Sequence, residues 1–184
     1  MPILGIIASS KFGDVGDFES IATITSSGSA GNFVFSSIPG TYDHLQIRGI
    51  LRTNDTGTWN NQVLRFNSDT GSNYAVHRLY GDGSSATAEA SSSITSINDF
   101  MRAAGSGNSS NIYGVAVIDI LDYAKTSKYK TIRSLNGGDG NGNGWIGLHS
   151  GLWQSTSAIT TITISPSGGT AIQYSSFALY GIRT

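Results

Sequence analysis

Three histidines, His44, His77 and His149, are the side chains here best placed by their chemistry to move a proton near neutral pH. His44 and His77 fall inside alternating, strand-like runs, and His149 directly precedes Ser150. Serine hydrolysis needs a base beside the hydroxyl and a sharp turn such as GxSxG to present it. No serine here has that turn, and no two histidines stand at metal-ligand spacing. With hydroxyls this abundant, a serine next to a histidine carries no signal, so all three histidines are expected to be structural. Asp119 and Asp122 are the closest carboxylates on one element. Three positions apart on a strand, they point to opposite faces, whereas glycoside hydrolysis needs two carboxyls about 5–9.5 Å apart across a groove. Asp122 is expected to end its strand.

Two glycine-rich patterns imitate ligand sites. Gly142, Gly144 and Gly147 fit GxGxxG, but a dinucleotide site also needs a following helix and an acid about 20 positions on. After Asp139 the chain has no Asp or Glu, so that site is excluded. Asp139, Asn141, Asn143 and Gly144 imitate the start of a calcium loop. Its twelfth position is Ser150 where a bidentate Glu is required, which excludes an EF-hand. Asp139 could still serve a weaker ion site built by the loop, or the loop could be clamped by a partner. No catalytic residue, metal or cofactor is expected.

The tryptophans are the remaining candidates. Trp59 lies in a polar stretch, and Trp145 and Trp153 flank the segment after the glycine run. Each could stack on the apolar face of a sugar, anchor a protein interface, or pack in the core.

The elements that must position these residues read as strands. Residues 42–53 (YDHLQIRGILRT) turn Leu45, Ile47 and Leu51 one way and His44, Gln46, Arg48 and Arg52 the other. Gly49 and Ile50 break the alternation, which predicts a bulge or a close neighbour. Residues 174–184 (YSSFALYGIRT) repeat the form. Further runs lie at 18–25, 32–38, 63–67, 74–80, 129–135, 145–153 and 159–165. The most hydrophobic, residues 112–121 (IYGVAVIDIL), predicts a central strand buried on both faces. Residues 94–104 (ITSINDFMRAA) form the one plausible short helix, with Ile94, Ile97 and Met101 as its stripe. Residues 136–144 (NGGDGNGNG) should resist regular structure because ordering glycine is entropically costly. About ten short strands with frequent turn signals predict an all-β antiparallel sandwich, jelly-roll-like, with at most one short helix.

The composition agrees. The 184 residues fit one domain, with 24 Gly, two Glu, no Cys and only 12% charged residues. A net charge of -1 offers no surplus to neutralise a phosphate backbone, so no nucleic-acid partner is expected. The opening MPILGIIASS has no basic residue before its apolar run, and it falls short of the about 20 residues a membrane helix needs. Ile3, Leu4, Ile6 and Ile7 therefore read as an apolar arm, within about residues 1–10, that docks by adding a strand to a sheet. No membrane insertion is expected.

The stretches MPILGIIASSKFG, DFESIATIT, YDHLQIRGILRT, LRFNSDTGSNYAVHRLYGDG and SFALYGIRT resemble small virion proteins of tailed bacteriophages. The likeness covers both ends and much of the first half, and it lies in framework pattern, so no functional residue is carried over. It implies a non-enzymatic virion structural protein assembled in the bacterial cytoplasm. Such a protein would be associated with the tail or its fibres, and would contact other phage structural proteins and other copies of itself, as a homotrimer. Contact with host surface polysaccharide would go with that position. The alternatives are a head (capsid) decoration protein and, in another class, a polysaccharide depolymerase.

Overall fold

A computed structural model describes residues 17–184, so the apolar arm with Ile3, Leu4, Ile6 and Ile7 lies outside the described residues. The strands are β1 (Phe18–Thr25), β2 (Phe33–Phe35), β3 (His44–Leu51), β4 (Trp59–Phe66), β5 (Tyr74–Gly81) and β6 (Ala86–Ile94). They continue as β7 (Ile97–Ala104), β8 (Gly114–Leu121), β9 (Lys130–Asp139), β10 (Gly144–Trp153), β11 (Ile162–Pro166) and β12 (Ser176–Ile182). All pairings between them are antiparallel. They form an eight-stranded sheet, β1-β12-β3-β8-β9-β10-β5-β6, and a four-stranded sheet, β2-β11-β4-β7.

The order β1-β12-β3-β8 over β2-β11-β4-β7 is that of a jelly roll, two four-stranded sheets between which the chain passes at every step except β4 to β7. The other four strands, β9, β10, β5 and β6, continue the first sheet beyond β8. Two hairpin insertions thus add a wing to one sheet only: β5-β6 enters the chain between β4 and β7, and β9-β10 between β8 and β11.

The core lies between the sheets. Leu45, Ile47, Ile118, Phe177 and Leu179 face inward from the large sheet, and Phe33, Leu64, Phe66, Ile162 and Ile164 meet them from the small one. Each such side chain contributes about 1.5–3 kcal/mol by leaving water. The alternation in residues 42–53 holds from His44 to Leu51, and Gly49 has the expected close neighbour. A Cβ there would lie 2.2 Å from Cε1 of Phe177, so the ring rests on bare backbone.

The structure corrects four expectations. Residues 94–104 form no helix: Ile94 ends β6 and Ile97–Ala104 is β7. In β7 the pairing with β4 jumps from Asn61↔Arg102 to Val63↔Asn98, and Asp99 has a φ of 58°. This bulge shifts the phase of the alternation and buries Ile97, Phe100 and Met101 together, which imitates a helical stripe. The glycine run at 136–144 is regular except for a turn at 140–143. There Gly140 N–H donates to the Asn143 carbonyl (2.6 Å) and Asn141 N–H to Oδ1 of Asp139 (2.8 Å). Gly138 is small because Trp59 packs on it, with Cη2 2.3 Å from where a Cβ would sit. Strand β8 is central but buried on one face only, with Val115, Val117 and Leu121 exposed on the other. Arg52, expected on the wet face, follows the end of β3 and is buried, where its guanidinium donates to the carbonyls of Asn108, Ser109 and Ile112.

Candidate functional site

The exposed face of the wing carries the most unusual surface of the described residues. Strand pairing places Val117 beside Leu135, Leu135 beside Leu148, Leu148 beside Leu79 and Leu79 beside Ala88. With strands about 4.8 Å apart, this is an aliphatic ridge roughly 19 Å long, running across five strands from β8 to β6. The row on one side reads Val115, Gly137, Ile146, Gly81 and Ala86. The six large aliphatics of the two rows, Leu79, Val115, Val117, Leu135, Ile146 and Leu148, are 39–64% exposed. A scattered exposed leucine needs no explanation, but six in register on one face make a patch of the kind that marks a contact surface.

The patch has relief. Where Gly81 and Gly137 interrupt the second row there is a depression of about 890 Å³, walled by Val115, Leu135 and Ile146 and rimmed by Asp82, Tyr113 and Asp139. On the far side of the ridge the third row is Asp119, Arg133, Ser150, His77 and Ala90. A second hollow of about 570 Å³ opens there over Ser150 and Ala90. Arg133 donates to Oδ2 of Asp119 (2.8 Å) and Gln46 to its Oδ1 (2.9 Å). Burial pushes the Asp119 pKa up, but these two bonds outweigh it and hold the carboxyl below its ordinary value. The rim therefore stays charged but internally paired.

The inner face of the wing overhangs the small sheet and is polar. Arg78 bridges Glu89 (2.6 Å) and Asp99 (3.1 Å), and Arg102 donates to Asp99 (3.1 Å). Arg102 also lies 3.3 Å over the Trp145 ring, whose other neighbour, Tyr80, is stacked at 4.2 Å. His149 is buried in this layer, and neither ring nitrogen has a hydrogen-bond partner among the described residues. Burial lowers its pKa to about 4, against the pull of Asp99 and with the repulsion of Arg78 and Arg102. The imidazole is neutral at pH 7.

The tryptophans do not form a sugar platform. Trp145 and Trp153 lie on the inward-facing positions of β10 and are buried, which corrects their candidacy as surface contacts. Trp153 packs on Phe66 and Tyr74 and donates to Asp69 (2.7 Å), and Trp145 donates to Asn136 (3.1 Å). Trp59 opens β4 instead of lying in a loop, and is half-buried with its Nε1 donating to Asn143 (2.7 Å). His44 accepts the Asp122 N–H at Nδ1 (3.0 Å), and Asp122, at φ 50°, ends β8 and pairs with Lys128 (2.7 Å). Among the described residues no group of three or more His, Asp or Glu could hold a metal ion.

Sequence reasoning missed the aliphatic patch, although a signal was present. Residues 112–121 are apolar at both parities, which the strand-period rule assigns to burial on both faces. An interface surface produces the same pattern. The chain matches no protein-family model, no curated protein and no solved structure.

Proposed function

We propose that this chain is a non-enzymatic structural component of a tailed-bacteriophage particle, associated with the tail or its fibres, and that it docks through the outer face of the wing. The observation that carries this reading is the aliphatic ridge: six large aliphatics brought into register on one exposed face. Leaving about half of each of six aliphatic side chains in water forgoes several kcal/mol that a partner would recover. The framework resemblance to small phage virion proteins supports the biological setting. The test is mass spectrometry of purified, salt-washed particles together with gold labelling. The protein is expected at the tail in tens of copies; its absence from washed particles would overturn the proposal.

A further inference from the structure

The ridge on the wing is bordered by hollows on both sides, and this relief bears on what covers it. The line Val117–Leu135–Leu148–Leu79 stands between the trough at Gly137 and Gly81 and the hollow over Ser150 and Ala90. Two sheets that pack face to face sit about 10 Å apart, and side chains of each fill the spaces between those of the other. A surface with one ridge and a hollow beside it meets that need when turned on a copy of itself. We infer that the partner of this face is a second copy of the chain, in a two-fold, isologous, sheet-on-sheet dimer with Leu148 near its centre. This deepens the docking reading above and rests on it.

Size supports the choice. The six aliphatics expose the equivalent of about three whole side chains, or roughly 400 Å² at the ~30 Å² per carbon of transfer areas. Interfaces are about 57% apolar, so such a core belongs to a footprint near 700 Å² per partner. A standard stable interface buries about 800 Å² per partner. Part of the rim fits as well: Asp119 and Arg133 are already paired within one chain and bring no uncompensated charge, while Asp82 and Asp139, at the edge of the trough, are exposed carboxylates without a cationic partner among the described residues. A three-fold assembly, the expectation from the phage resemblance, needs two different complementary surfaces on each chain. The single self-fitting face favours the dimer.

Sedimentation equilibrium of the full chain at micromolar concentration tests this. The expected mass is twice 19.3 kDa. Leu135→Lys with Leu148→Lys should weaken self-association at least about 100-fold, because two ammonium groups from each chain would be desolvated at its centre. Both positions face solvent in the single chain, so the circular dichroism of the variant should be unchanged, and its melting temperature should fall only to the value the wild type reaches when diluted below its dissociation constant. The chain contains no Cys, so a Leu148→Cys variant carries one thiol. A short bismaleimide should link it to its copy, and should fail to link Val34→Cys on the small sheet. A monomer, a trimer, a dimer that survives the double substitution, or linkage through Val34→Cys in preference to Leu148→Cys would each overturn the inference. A wild-type monomer whose Leu148→Lys variant drops out of particles would overturn self-pairing and leave the docking reading standing. A dimer that is absent from particles would do the reverse.

Discussion

Acidification should destabilise this protein through one residue before the carboxylates respond. His149 is buried on the inner face of β10, and its pKa falls from an ordinary 6.5 to about 4. The cause is burial; Asp99 opposes it, and the charges of Arg78 and Arg102 reinforce it. In the unfolded chain the imidazole takes up a proton below about pH 6.5, whereas the folded chain refuses it until about pH 4. Between those values the unfolded state binds more protons, so stability is full above pH 6.5 and falls as the pH drops toward 4. The slope approaches about 1.4 kcal/mol per pH unit, which gives a loss of roughly 2 kcal/mol at pH 5 relative to pH 7.5. For a chain of this size that is a fall in melting temperature of about 4–8 °C. The carboxylates with lowered pKa, such as Asp69, Asp119 and Asp122, lose their contribution only below their ordinary range, so the window from pH 7 to 5 isolates the histidine. The assay is urea or thermal unfolding of the wild type and His149→Gln across that window. The wild type should lose stability and the variant should stay flat. Equal slopes in the two proteins, or no slope in the wild type, would refute the reasoning.

Two further substitutions test the interior. Gly49→Ala drives a Cβ to within 2.2 Å of the Phe177 ring, which is itself packed edge-on against Phe33, and should cost about 1–3 kcal/mol in a urea titration. Trp153→Ala should cost about 3–5 kcal/mol by emptying the space between Phe66 and Tyr74, and an unchanged melting temperature would place that tryptophan at the surface instead.

Much of the sandwich is legible in the residues because its inner faces obey a simple period. Leu45, Ile47 and Leu51 alternate with polar neighbours, and that pattern survives intact in β3. It fails where a local irregularity changes phase, as at Asp99, because a bulge is decided by the partner strand and leaves no trace in composition. It also fails where a polar residue is buried through long-range bonds. Arg52 reads as a surface charge, yet it is sheathed by three carbonyls near residue 110; Lys130, a second buried cation, donates from Nζ to the carbonyls of Lys125, Lys128 and Thr156. The proposed docking face is the least legible part. Val117, Leu135, Leu148 and Leu79 are far apart in sequence and become one ridge only through the order in which the inserted hairpins join the large sheet. The glycines at 137 and 138 look like loop, but beside Trp59 and Trp145 they are the places where the chain needs no side chain.

The proposed virion role and docking face are tested most directly by particle composition, with Leu148→Lys encoded in the phage. The substituted residue is half exposed on the free chain, so the variant should be expressed, folded and soluble to the same extent as the wild type. Quantitative mass spectrometry of salt-washed particles should then find it depleted at least about tenfold, the loss expected when an apolar contact worth about 1.4 kcal/mol or more is replaced by a charge. Incorporation of Leu148→Lys at the wild-type copy number would contradict the account, because a surface that accepts a charge at its centre is not the one through which the protein assembles.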